Sequence, residues 1–406
     1  MPSISDRLKS MGVNLGSQGL SARLKKKYPL EQVVDGELRN TPFGDSFVLE
    51  TVYPFEHEHG KAPLQMSAPM EMMAAWGRDE RVATCEHNKF AFLDTETTGL
   101  ASGSGTYAFL IGVGRFEDDG LHLAQFFMRD PAEEPAQLAL LDEFLSPCET
   151  VVTFNGKSFD IPLLNARYIT NGERPPLADA AHLDLLHLAR RLWRERLPSR
   201  ALGDLEVAVL EHARSEEDVP GWMIPQMYFN YLRDGDARPM KSVLYHNAED
   251  ILSMVVLLDH MAAMLAEPLN GAVEYAEDLL AVGRLYEDLG FQDQAAEIME
   301  SSLKKELPQS LTTSTMERLA VLHRRRGDIT AALSLWYQAA ADGEVYAHVE
   351  LAKHYEHRES KFDEALRWTE AALAIVHLPE FSRLDRYTWQ PQLEHRQQRL
   401  QRRLKR

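Results

Sequence analysis

Only two cysteines, Cys85 and Cys148, occur in 406 residues. They are too few and too far apart for a disulfide scaffold or a cysteine-based zinc cluster, and a reducing cytoplasm suits them. Long apolar runs are missing too. Met1-Pro2-Ser3-Ile4-Ser5-Asp6-Arg7 is not followed by the apolar core of a signal peptide, and no later stretch approaches membrane-spanning length. The expectation is a soluble cytoplasmic protein without a membrane partner. Basic residues are scarce beside acids, 44 Lys and Arg against 62 Asp and Glu, for a formal net charge of −18. That balance excludes tight non-specific binding of duplex DNA, which needs a broad basic surface to release counterions. Local basic clusters remain at Lys25-Lys26-Lys27 and at Arg190, Arg191, Arg194, Arg196 and Arg200. The one glycine-rich turn, Ser102-Gly103-Ser104-Gly105, lacks both the second half of a dinucleotide fingerprint and a following Gly-Lys-Ser, so it is no nucleotide loop.

What the chain does have is acids at structured positions. Phe90-Ala91-Phe92-Leu93-Asp94-Thr95-Glu96-Thr97 reads as a buried strand ending in two carboxylates. Side chains two apart on a strand share a face, so Asp94 and Glu96 project together while Thr95 points away. A second segment, Val151-Val152-Thr153-Phe154-Asn155-Gly156-Lys157-Ser158-Phe159-Asp160, reads as strand, glycine turn and a carboxylate opening a helix. A third, Tyr245-His246-Asn247-Ala248-Glu249-Asp250, lies on a helix that places His246 one turn before Asp250.

Four carboxylates of this kind suit hydrolysis of a phosphodiester, whose negative charge repels hydroxide and whose leaving alkoxide is poor. Two Mg2+ or Mn2+ ions can stabilise the attacking and departing oxygens, with Asp94 bridging, Glu96 and Asp250 completing one shell and Asp160 holding the second ion. His246 is a candidate general base, since helical phase sets position 246 nearly over Asp250 and turns Tyr245 aside. The alternatives are that Tyr245 orients the water, or that the metals act without a protein base. Asn155 can hydrogen-bond substrate or hold its turn, and Lys157 can contact phosphate or face solvent.

These three segments, in the order Asp, Glu, Asp, Asp, resemble the ribonuclease-H-like exonucleases named for that set. Asn155 to Asp160, His182 to Trp193, and His246-Asn247 with Asp250-Ile251-Leu252 are similar to the bacterial YprB-type branch. The resemblance spans roughly Lys89 to Leu265. It implies an α/β ribonuclease-H-like mixed sheet flanked by helices, and 3′-5′ exonuclease activity on single-stranded DNA or RNA. It also implies that Thr97, Gly99 and Leu100 approach a terminal nucleotide, with Leu100 wedged against the base. One departure stands out: Tyr245 and His246 have exchanged the slots that different branches of the superfamily use.

Around that core we expect an N-terminal extension with short strands over 1–85, the nuclease domain over 86–268, helical repeats over 269–380 and a basic helix or tail over 381–406. In the first stretch, His57-Glu58-His59 reads as the exposed end of a hairpin, because the pair lacks further metal ligands. From Gly271 the pattern is all-α. Leu289-Gly290 with Ala295, Arg326-Gly327 with Ala332, and Ser360 with Ala365 recur at intervals of about 34 residues and resemble tetratricopeptide helix pairs, which bind protein partners. Two other functions compete with the exonuclease: a non-catalytic nucleic-acid-binding or adaptor module, and a different metal-dependent phosphate hydrolase.

Overall fold

A computed structural model of the chain describes residues 28–99 and 105–405. Lys25-Lys26-Lys27, Leu100 and most of the glycine-rich turn therefore lie outside the described residues. The chain divides into two compact units, one ending at Glu267 and the other beginning at Pro268. Among the described residues no helix is long and apolar enough to cross a membrane.

The first unit is a mixed sheet flanked by helices. Its strands are β1 (Glu37–Thr41), β2 (Gly44–Tyr53), β3 (Glu58–His59), β4 (Ala62–Pro63), β5 (Phe90–Thr97), β6 (Ala108–Glu117), β7 (Gly120–Phe127), β8 (Thr150–Thr153) and β9 (Ala181–Asp184). The helices of about two turns or more are α1 (Glu71–Gly77), α2 (Glu134–Leu145), α3 (Asp160–Thr170), α4 (Leu185–Leu192), α5 (Ile224–Asp234) and α6 (Met240–Ala266). Seven strands pair in the order β1-β2-β7-β6-β5-β8-β9, while β3 and β4 form a separate hairpin. Neighbours run antiparallel except β5 with β8 and β8 with β9. The first two strands fall in the stretch expected as an N-terminal extension, yet they complete one edge of this sheet.

β5 sits near the middle, and its four leading residues Phe90 to Leu93 are all buried, as a strand covered on both faces requires. Ala91 and Leu93 pack with Leu138 and Leu141 of α2 and Leu163, Leu164 and Tyr168 of α3. The opposite layer is built from Phe109, Leu110 and Phe127 against Tyr228 and Tyr231 of α5 and Val243 and Leu244 of α6. Phe109 and Leu110 are adjacent in sequence yet share that layer, because the β5–β6 register shifts between Glu96 and Thr97. The bulge lies where β5 delivers its carboxylates.

The second unit stacks helical hairpins: α7 (Ala276–Asp288) with α8 (Gln292–Leu303), α9 (Gln309–Arg325) with α10 (Ile329–Ala341), and α11 (Val345–His357) with α12 (Phe362–Val376). A long α13 (Arg383–Leu404) follows. Gly290, Gly327 and Ser360 occupy the three corners with φ of +93°, +84° and +56°. Ala295, Ala332 and Ala365 are each fully buried one turn into the next helix, where a larger side chain would push the pair apart. Ser360 is the one corner that carries a Cβ in the left-handed region. Ser360→Gly should therefore raise the stability of this unit by about 0.5–1 kcal/mol in denaturant unfolding, since glycine adopts that conformation without steric cost. The basic C-terminal stretch is the array's last helix: Leu393 and Leu400 are buried, and Arg396 and Arg399 bond the buried Glu356 carboxylate at 2.8 and 2.6 Å.

Candidate functional site

Asp94 stands opposite Gly112 in the β5–β6 register. A Cβ at Gly112 would lie 2.1 Å from Asn247 Oδ1, so only glycine lets α6 seat Asn247 against the sheet. Buried Asn247 donates through Nδ2 to Asp94 Oδ2 at 2.8 Å, and its Oδ1 accepts from Gln125 Nε2 at 2.8 Å. Because Gln125 also donates to the Leu244 carbonyl, strand, helix and carboxylate form one satisfied polar network. Asp94 is thereby aimed rather than left to rotate.

The hydroxyl of Thr95, between Asp94 and Glu96 in sequence, donates to Asp160 Oδ1 at 2.5 Å. Asp160 opens α3, where a carboxylate also complements the helix N-terminus. The turn before it is held by Asp184, which is fully buried, caps α4, and accepts from the backbone N–H groups of Asn155 and Lys157 at 2.8 and 3.0 Å. Asn155 takes φ +70°, a conformation asparagine tolerates better than most residues. The Lys157 side chain is exposed. Thr97 donates to the Gly99 carbonyl at 2.8 Å, which shapes the turn after β5.

On α6, His246 Nε2 faces Glu96 Oε1 at 3.9 Å and Asp250 Oδ2 at 3.8 Å. Asp218 Oδ1 approaches His246 Nδ1 at 2.7 Å, and Arg214 Nη1 stands 3.1 Å from the same nitrogen. Asp218 is the closer partner. With the proton on Nδ1 shared with Asp218, Nε2 presents a lone pair toward the acids. Tyr245 is turned aside, and its hydroxyl accepts from Ser215 N–H at 3.0 Å, tying the 214–218 segment to the helix.

Arg214, a residue without any motif around it, is central. It donates to both oxygens of buried Glu206 at 2.7 and 2.5 Å and also bonds Asp250. Against the pull of burial, these carboxylates hold its guanidinium firmly charged. One cation nevertheless faces many acids. Burial, then the charges of Asp250 and Asp160, push the Asp94 carboxyl well above its ordinary range. Burial, then Asp94, Asp250 and Asp160, do the same to Glu96. Burial raises Asp160 to about 6 despite the Thr95 hydrogen bond. Asp250 is raised by burial too, with Arg214 and His246 opposing. The structure thus places Asp94, Glu96, Asp160 and Asp250 in one field with an excess of negative charge, beside His246, and the oxygen donors of the four acids fit hard divalent cations. Asp94, Glu96, Asp160 and Asp250 are the residues that could hold them.

The residues that motif reading passed over, Thr95, Glu206, Arg214, Asp218 and Asn247, come mainly from loops or from helix positions that only packing brings to the acids. Asn247 stood in the quoted His246-Asn247 pair, but nothing in the pair tells that it reaches Asp94.

A family model described as "RNase_H superfamily" matches residues 91–262, a span that contains every residue of this site. Among solved structures, a family B DNA polymerase from the hyperthermophilic archaeon Pyrobaculum calidifontis is similar at 15% identity and a TM-score of 0.31, covering 50% of this chain and 29% of that one. Over 346 residues the chain is 32% identical to a Bacillus subtilis (strain 168) protein that carries the name "Uncharacterized protein YprB", covering 82% of this chain and 82% of that protein. The chain belongs to the YprB family, with a domain of the ribonuclease H superfamily.

Proposed function

We propose that this protein is a metal-dependent 3′-5′ exonuclease acting on single-stranded DNA or RNA. The observation that carries the reading is the convergence of Asp94, Glu96, Asp160 and Asp250 from three separate segments, all four raised above their ordinary protonation range by burial and Asp94 and Glu96 raised further by the charges of the other acids. Such mutual repulsion is costly for a structural role and useful for holding cations. When bound at these four carboxylates, two Mg2+ or Mn2+ ions supply charge neutralisation for the scissile phosphate and for both the attacking and the leaving oxygen.

The chain's own groups supply the rest. His246 takes a proton from the attacking water at Nε2, while Asp218 holds the ring through Nδ1 and stabilises the imidazolium that forms. Asn247 fixes Asp94, and Arg214 fixes Asp250. Thr97 and Gly99, with Asn155 and Lys157, serve the approach of the terminal nucleotide, and the wedge against its base is assigned to Leu100, which lies outside the described residues. Trp222 adds a stacking face: it is 78% exposed, and a Cβ on its neighbour Gly221 would lie 3.6 Å from His246 Nε2. Bases of any sequence can stack on such a ring, so Trp222→Ala should raise KM for single strands by about tenfold with little change in kcat. The repeated hairpins of the second unit are assigned to a protein partner, since such arrays offer an extended face.

Polarity is tested with single-stranded DNA and RNA labelled at the 5′ end. A ladder of shortened 5′-labelled products, abolished when the 3′ end is blocked, is the expected result. Release of labelled mononucleotide at the outset would reverse the polarity.

A further inference from the structure

The His57-Glu58-His59 stretch does form a hairpin, but His59 is not at an exposed end: only 2% of it reaches solvent. Gly60 explains the burial. It has φ +66°, a Cβ there would lie 2.1 Å from the Leu210 carbonyl oxygen, and Lys61 N–H donates to that same carbonyl at 2.9 Å. The hairpin turn thus lies directly on the backbone that leads to His212, and the His59 and His212 rings stack with centroids 3.9 Å apart. From α6, Glu249 Oε2 approaches His212 Nε2 at 2.7 Å. One nitrogen of each histidine and one Glu249 oxygen lie within 4.8 Å of one another. Among the described residues this is the one group of three His, Cys, Asp or Glu side chains whose ligand atoms lie that close together; no three carboxylates of the quartet do.

Hydrogen bonding sets the protons. Glu206, paired with Arg214, accepts the Ser253 hydroxyl proton at 2.6 Å. That hydroxyl has no second proton, so at 2.8 Å from His59 Nε2 it accepts, which leaves His59 Nδ1 with a free lone pair. His212 Nε2 and Glu249 Oε2 already face one another at 2.7 Å, so a cation could take over both donor atoms.

We propose that His59, His212 and Glu249 bind a zinc-type transition-metal ion at a site separate from the acidic quartet. Two imidazoles and one carboxylate suit zinc and its neighbours, whereas the all-oxygen quartet suits magnesium or manganese. Glu249 and Asp250 are adjacent on α6 and about 100° apart, so the helix presents one to each centre. The ion staples the hairpin and the segment ending at His212 onto the helix that carries His246 and Asp250. This holds whether or not the quartet hydrolyses nucleic acid.

The test uses the full chain, purified without added metal and measured for bound metal by mass spectrometry, then titrated with Co2+ as a coloured substitute for zinc. The expected result is about one zinc per chain and visible absorption of low-coordinate cobalt. His212→Gln and Glu249→Gln should each weaken binding at least about 10- to 100-fold, while Asp160→Asn retains it. Absorption spectroscopy at the zinc edge of the wild type should show nitrogen donors from imidazole, and it decides the matter even where a variant fails to fold. Wild-type protein that binds neither zinc nor cobalt, undiminished binding in both the His212 and Glu249 variants, or loss in Asp160→Asn alone would overturn the site.

Discussion

Asp160→Asn and Asp94→Asn should each lower metal-dependent hydrolysis by about a thousandfold or more, because a cation that stabilises a phosphoryl transition state contributes several kcal/mol. The same substitutions should make the metal-free protein more stable at neutral pH. Asp160 is raised from 3.8 to about 6 in the folded protein, chiefly by burial. A carboxyl raised on folding supports the fold fully below pH 3.8, and that support is lost as pH rises through about 6. The ionised, metal-free site therefore costs up to about 3 kcal/mol at pH 7, at 1.36 kcal/mol per unit of pKa. Asparagine removes this charge, so thermal unfolding in chelator should show a higher Tm for Asp160→Asn than for wild type at pH 7, with the gap closing near pH 4. A variant equally active, or a gap that persists at low pH, would mean that Asp160 is an ordinary structural acid. Adding Mn2+ should reverse the order, since only the wild type gains from the ion.

The second large effect concerns His246. Its Nε2 faces Glu96 and Asp250 while Asp218 occupies Nδ1, an arrangement that can receive a proton from water and hold the resulting charge. His246→Ala should lower the single-turnover rate by about 10²- to 10⁴-fold with metal affinity nearly unchanged. Asp218→Asn should produce a smaller loss, because the ring remains but its charged form loses a partner. Tyr245→Phe should leave the rate near wild type, since that hydroxyl accepts a bond from Ser215 N–H, away from the acids. A severe loss confined to Tyr245→Phe would assign the water to the tyrosine. Mild losses in His246→Ala and Tyr245→Phe alike would leave the reaction without a protein base.

Much of this site was readable from local pattern. The strand ending in Asp94-Thr95-Glu96 announces itself because a run of apolar residues buried on both faces can end only where the sheet meets solvent. Helical phase likewise separates His246 from Tyr245 without a structure. The corner residues Gly290, Gly327 and Ser360 are legible for a similar reason, since small residues mark left-handed turns between helices. What was not legible depends on contacts between distant segments. Arg214 lies 36 residues from Asp250 in a stretch with no periodicity, and nothing local tells that its guanidinium joins Glu206 to Asp250. His-x-His looked incomplete at 57–59 because its companions arrive more than 150 residues later, on a different loop and helix. β1 and β2 looked like a separate extension because edge strands carry alternating patterns whether or not a larger sheet adopts them.

The most direct measurement is a titration of chelator-stripped wild-type protein with Mn2+ in the presence of 5′-labelled single-stranded DNA and RNA. Four converging carboxylates with one compensating arginine predict no hydrolysis in chelator and a saturable rise in 3′-shortened products as the ion is added. Hydrolysis that proceeds equally well in chelator, or none on either substrate at any Mn2+ concentration, would contradict the assignment of Asp94, Glu96, Asp160 and Asp250 as a metal-dependent nuclease centre.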